Sequence, residues 1–124
     1  MGIFKTLFGK GETKNNQEKF QWKPLTESTQ LDEIIEKSHT KTQAIFKHST
    51  RCGISSGVLK QFERNKKNPE VDFYYLDLLT FRTISNEIAT KFNVHHQSPQ
   101  LLILKNGKVI AHDSHYEIMS LDIA

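Results

Sequence analysis

A lone cysteine set between a strand-like run and a helical pattern constrains this chain more than any other feature. Ala44-Ile45-Phe46 is apolar and β-favouring, and it breaks into a polar segment, His48 to Arg51. Cys52, the only cysteine of the 124 residues, comes next. After it Ile54, Val58 and Phe62 recur every four residues with Leu59 beside them, the spacing of one helix face. Cys52 therefore stands at or next to the first turn of a helix that follows a strand. First-turn N–H groups have no intrahelical partner, and the helix dipole adds partial positive charge there. A thiolate is stabilised in that field, with Arg51 adjacent, and the thiolate is the nucleophile of disulfide exchange. The competing reading is a small buried hydrophobe. Position, charge and context together favour the reactive one.

The length suits one domain with one core. One cysteine rules out an internal disulfide, which fits a reducing compartment. No apolar run approaches the ~20 residues of a membrane span, and no secretory segment with a cleavage site is evident. The expected location is the cytoplasm, with no membrane partner. Net charge is +3, and much of the excess lies early, where Lys5, Lys10, Lys14, Lys19 and Lys23 face only Glu12 and Glu18. A nucleic-acid binder needs a stronger basic stripe with interleaved aromatics, so no nucleic acid is expected. The charge reads as solubility with some attraction for anionic small molecules.

Residues 1–20 read as an appendage, probed by its own motifs. Met1-Gly2-Ile3-Phe4-Lys5-Thr6 fits the formal N-myristoylation pattern, but a frayed start or a docked segment is the simpler reading. Gly9 to Gln17 has linker composition. The domain proper is placed over residues 21–124. Phe20 to Leu25 reads as a short edge strand, and residues 29–38 as a first helix with Thr29 and Asp32 as a capping box. Thr42 to Lys47 is a strand covered on both faces. The Cys52 helix ends near Asn65-Lys66-Lys67, and Val71 to Leu76 is the next strand. Ile84, Ile88 and Phe92 give a helix over about 81–92, capped by Thr80 or Thr83. A loop through Val94 to Pro99 leads into Gln100 to Leu104. Asn106-Gly107 is a strong hairpin signal, so Lys108 to His112 pairs back, and a brief helix follows within Tyr116 to Ala124. Strand–helix–strand–helix order implies crossover units and a parallel pair.

This order, with a cysteine opening the second helix and an X-Pro step before a hairpin, resembles the thioredoxin fold. The fold class expected is therefore α/β, with a central mixed sheet of four to five strands flanked by helices. The resemblance implies a cis Ser98–Pro99 bond packed beside the cysteine. Phe46-Lys47-His48-Ser49-Thr50-x-Cys52-x-Ile54-Ser55, Ser98-Pro99-Gln100, Lys105-Asn106-Gly107 and Ser114-His115 together resemble the YtxJ family, the monothiol bacilliredoxins, over about residues 26–118. One departure is Gly53, where proline is expected in many relatives. Gly53 lacks proline's fixed φ and keeps an N–H, which implies a looser helix start and a different reduction potential.

A dithiol redoxin resolves its mixed disulfide with a second cysteine three residues on; here that position is Ser55, and a hydroxyl forms no disulfide. Cys52 must then be relieved by another thiol, a monothiol mechanism. The resemblance supplies that thiol: bacillithiol, a small thiol with a malate head group, as co-substrate with no tightly bound cofactor. It also implies bacillithiolated proteins, and another redoxin, as partners. In this reading Cys52 is catalytic. Lys47 and Arg51 favour the anionic head group, with a solvated strand end as the alternative for Lys47. Ser55 donates to the sulfur or caps the helix, Gly53 opens it, and Ser98 and Pro99 present backbone to an incoming chain.

A second class of reading comes from Cys52-Gly53-Ile54-Ser55, which is similar to the Cys-Gly-Phe-Ser site of monothiol glutaredoxins. It implies an iron–sulfur carrier with a cluster held between two copies, or a non-catalytic adaptor. The absence of a Gly-Gly-Asp-like segment around Ala111-His112-Asp113-Ser114 counts against it. His48, His95, His96, His112 and His115 match no zinc spacing, so no metal is expected from the chain alone.

Overall fold

The computed structural model describes residues 19–123. The N-myristoylation pattern and the linker reading lie outside them, as does the expected appendage except for Lys19 and Phe20. The elements are β1 (Trp22–Pro24), α1 (Thr29–Lys37), β2 (Thr42–His48), α2 (Gly53–Asn65), β3 (Val71–Asp77), α3 (Arg82–Phe92), β4 (Gln100–Lys105), β5 (Lys108–Ser114) and a 3₁₀ helix (His115–Ser120). They build a five-stranded mixed sheet in the order β1-β3-β2-β4-β5. The β1–β3 and β2–β3 pairs are parallel, while β2–β4 and β4–β5 are antiparallel.

Strand periodicity explains the layers. Side chains alternate across a strand, so a central strand covered on both faces is apolar throughout. In β2 every residue is buried. Ala44 and Phe46 join Val58 and Phe62 of α2, Phe73, Leu101, Ile103 and Ile118 on one face. Ile45 joins Leu31 and Ile34 of α1, Ile84 and Ile88 of α3, Leu76, Leu102 and Leu104 on the other. The sheet therefore carries two cores, with α2 and the 3₁₀ helix on one side and α1 and α3 on the other.

The hairpin forms where the sequence places it. Asn106 and Gly107 both have positive φ, 53° and 80°, as a tight turn between twisted strands requires. Ser38, after α1, holds the turn: its carbonyl accepts the Asn106 N–H at 2.8 Å and its Oγ accepts the Gly107 N–H at 2.8 Å. A side chain at position 107 would meet the His39 ring at 3.2 Å. Strand β5 runs further than expected, to Ser114. Ile103 faces Ala111 while Leu104 faces Val109, so Ile110 is the extra residue of a bulge and stands exposed on the sheet edge.

Several local expectations are corrected. Thr29 and Asp32 form no capping box: Ser28 occupies the N-cap, but its hydroxyl donates to Glu87 rather than capping the helix, and Gln30 Oε1 accepts from the Thr26 and Glu27 N–H groups. Neither Thr80 nor Thr83 caps α3. Phe81 is its N-cap, and the Thr80 hydroxyl donates to Asp77 Oδ2 at 2.9 Å. Ile54 does not share the buried face of Val58 and Phe62; in the first turn of α2 it is 45% exposed.

Candidate active site

The register fixes where the loops meet. His48 pairs with Asp77, Lys47 with Gln100, and Gln100 with Ser114. The segment leaving β2, the segment leaving β3, the segment entering β4 and the end of β5 therefore share one edge of the sheet. Cys52 follows β2 and the Ser98–Pro99 step precedes β4, its neighbour in the sheet, at that edge. The Ser98–Pro99 bond is cis. The Pro99 carbonyl accepts the His115 N–H at 3.0 Å, with His115 at φ 56°, so the 3₁₀ helix starts against the proline.

Cys52 is the N-cap of α2, with extended φ −107° and ψ 119°, and it is half-buried. The first intrahelical bond runs from the Ser56 N–H to the Cys52 carbonyl at 3.1 Å. The N–H groups of Gly53, Ile54 and Ser55 precede it and lie at the positive end of the helix. The loop before the cysteine is closed by the Cys52 N–H donating to the Ser49 carbonyl at 3.2 Å. Arg51 and Gly53 are exposed beside it.

Ser55 has a different role from either of the two expected. Its side chain is fully buried, and it neither caps α2 nor bonds the sulfur in this structure. Its Oγ accepts the Ser49 N–H at 3.2 Å and lies 2.7 Å from His48 Nδ1. One hydroxyl thus serves both: it accepts from Ser49 and donates to the imidazole. His48 is itself buried, 5.6 Å from the Tyr75 ring. Burial pushes the His48 pKa below the usual histidine value, opposed by Asp77 and Glu63. A neutral His48 suits an acceptor of the Ser55 proton.

Lys47 is the largest correction. It is neither a solvated strand end nor a surface group open to a head group: it is fully buried. Strand alternation turns it away from α2, towards α3. Its Nζ donates to the Ser85 carbonyl at 3.2 Å and lies 3.3 Å from His96 Nδ1. Burial pushes its pKa down to about 8. Sequence reading left Ser85 unnoticed and gave His48 and His96 no specific role. Ser85 and His48 lie at buried positions of α3 and β2, and His96 is half-buried in the segment before Pro99, a placement visible only once the strand and helix faces are assigned. Among the described residues no cluster of three or more His, Cys, Asp or Glu is placed to hold a metal ion. Among the described residues no helix is long and apolar enough to cross a membrane.

Gly53 occupies the first helical position, and a Cβ built there meets nothing within 4 Å. Cys52 already has the extended backbone that a following proline demands, and proline is favoured at this position. Gly53→Ala and Gly53→Pro are each expected to raise stability by about 0.4–1 kcal/mol, since they restrict the unfolded chain. Denaturant midpoints at unchanged slope would show it; a drop in midpoint for both would mean that the loop needs glycine.

Comparison with known proteins agrees with this architecture. A solved structure described as a candidate oxidoreductase with a thioredoxin fold is 34% identical, with a TM-score of 0.68, covering 77% of this chain and 83% of that one. The thioredoxin of Malassezia sympodialis superposes with a TM-score of 0.64 at 19% identity, covering 82% and 84%. That of Fasciola hepatica gives 0.62 at 21%, covering 79% and 90%. These two share the fold, which is thioredoxin-like. Residues 23–123 match the family model of the monothiol bacilliredoxin BrxC, and with the fold this match supports a thiol redox role. The chain belongs to the monothiol bacilliredoxin family.

Proposed function

We propose that this protein is a monothiol thiol–disulfide oxidoreductase that removes bacillithiol from protein mixed disulfides in the cytoplasm. The observation that carries this reading is Cys52 itself: one half-buried sulfur at a helix N-terminus, with Ser55 where a dithiol enzyme would hold a second thiol. The Cys52 thiolate attacks the bacillithiol sulfur of a protein–S–S–bacillithiol bond. That bond breaks, the protein thiolate leaves and takes a proton from solvent, and a Cys52–bacillithiol disulfide forms. A second bacillithiol thiolate then attacks the bacillithiol sulfur held on Cys52. Bacillithiol disulfide departs and the Cys52 thiolate is restored, so each cycle frees one protein thiol from its mixed disulfide and consumes one free bacillithiol, which leaves joined to the bacillithiol removed from the protein. A second redoxin can supply the relieving thiol in place of free bacillithiol.

The chain's own groups fit these steps. The N–H groups of Gly53, Ile54 and Ser55 favour negative charge on Cys52 when it attacks and again when it leaves. Exposed Arg51 precedes Cys52 in the loop, and its charge attracts an anionic head group. The backbone at Ser98 offers an edge for an extended substrate segment. In the test, the reduced protein is incubated separately with the disulfides of bacillithiol, glutathione and coenzyme A, and Cys52 is read by mass spectrometry. The expected result is fastest adduct formation with bacillithiol, released by added bacillithiol. Equal or slower reaction with bacillithiol than with the other two would overturn the assignment of the co-substrate.

A further inference from the structure

The buried side of the sheet beneath Pro99 holds a polar cluster that the chemistry above does not use. Lys47 Nζ reaches the Ser85 carbonyl on α3 and His96 on the segment leading to Pro99. Ser85 Oγ lies 3.3 Å from the same His96 Nδ1. Gln100, the cross-strand partner of Lys47, donates from Nε2 to the His95 carbonyl at 2.9 Å. Lys47, Ser85 and Gln100 are each at most 1% exposed. The segment from His95 to Ser98 has no strand or helix bonds of its own. Among the described residues, the hydrogen bonds of His95 and His96 to the rest of the protein pass through this cluster.

We propose that Lys47 is a positioning residue for the substrate-binding backbone at Ser98–Pro99, holding the 95–98 segment against α3 through His96. This rests on the functional reading above, in which that backbone receives the substrate chain. A lysine is a costly way to fill a core position, and methionine would fill a similar volume without a charge to desolvate. What the ammonium adds is reach and three donors, which span α3 and the loop together. The tie is strongest with a charged Lys47 and requires an unprotonated His96 Nδ1. The Lys47 pKa is lowered to about 8 by burial alone. That of His96 is lowered by burial first, then by Lys47, Arg82 and His95, all acting in the same direction. The tie is therefore at full strength from below the ordinary histidine value up to about 8 and weakens above it, as Lys47 gives up the charge that strengthens its hydrogen bonds.

The experiment compares wild type, Lys47→Met and Lys47→Arg by steady-state kinetics on a bacillithiolated protein, and by amide exchange at Gln97 and Ser98. For Lys47→Met the expected result is a KM raised about tenfold with kcat changed less than about twofold, the mark of lost binding rather than lost chemistry. Protection at Gln97 and Ser98 falls in the same variant, although thermal stability rises. Lys47→Arg recovers part of both. Wild-type KM rises above pH 8, and that rise is absent from Lys47→Met. An unchanged KM with unchanged amide protection overturns the proposal, as does a loss confined to kcat. If wild type itself shows no turnover, the functional reading fails, and amide protection alone decides whether Lys47 holds the loop.

Discussion

Cys52→Ala is expected to fold like the wild type and to release bacillithiol from proteins no faster than solution does. The side chain is half-buried and small, so its truncation changes stability by no more than about 0.5 kcal/mol. Its chemistry has no substitute. The chain holds no other cysteine, so nothing else can form the mixed disulfide. Ser55, three residues on, is a buried hydroxyl already committed to Ser49 and His48. Loss of a nucleophile that carries a covalent intermediate removes both steps of the cycle at once, unlike loss of a binding contact. The measurement is release of bacillithiol from a modified protein, with circular dichroism to verify the fold. Activity above background in Cys52→Ala would sink the enzyme assignment. The complementary expectation concerns wild type: without bacillithiol it stalls after one equivalent, because no intramolecular thiol resolves the adduct.

What could be read in advance follows the range of the forces involved. The position of Cys52, the hairpin at Asn106-Gly107 and the turn at Pro99 depend on residues near in sequence, and each lies where the pattern put it. Strand assignments held for a similar reason, since a continuous apolar run such as Ala44-Ile45-Phe46 has few other places to go. Failures arose where a distant element decided the outcome. Lys47 reads as a surface cation until β4 and α3 are placed around it, and only then do Ser85 and His96 explain its burial. Ser28, Thr29, Thr80 and Thr83 are all competent caps by composition. The choice among them falls to neighbours, with Gln30 filling the bonds before α1 and Asp77 claiming the Thr80 hydroxyl. Ile54 shares the four-residue spacing of Val58 and Phe62, but periodicity does not say which turns of a helix are covered. Its exposure in the first turn of α2 is a property of the assembled fold.

Phe62→Ala is expected to destabilise the protein more than any surface change near the site, by about 3–5 kcal/mol. Phe62 is fully buried, and its ring lies 5.5 Å from Phe46, 5.7 Å from Phe73, 5.8 Å from Phe20 and 6.0 Å from Trp22. Truncation leaves a void bounded by rings on three strands, Trp22 of β1, Phe46 of β2 and Phe73 of β3, and rings fixed to paired strands collapse poorly into a gap. Trp22 is further held by its Nε1 donating to Glu63 at 2.7 Å, which limits its movement into the space. At a few degrees of melting temperature for each kcal/mol, the expected fall is roughly 15–25 °C. Ile54→Ala on the same helix removes a half-exposed side chain and should change stability by less than about 1 kcal/mol. The contrast separates the two tasks of α2. Phe62 anchors the helix to β2 and β3, and Cys52 works at the end so anchored. Below its own melting temperature Phe62→Ala should therefore still form the Cys52 adduct. A melting temperature that falls by only a few degrees would show that the surrounding rings close the cavity. In that case the placement of Cys52 depends on the loop bonds of Ser49 and Ser55 more than on the aromatic cluster.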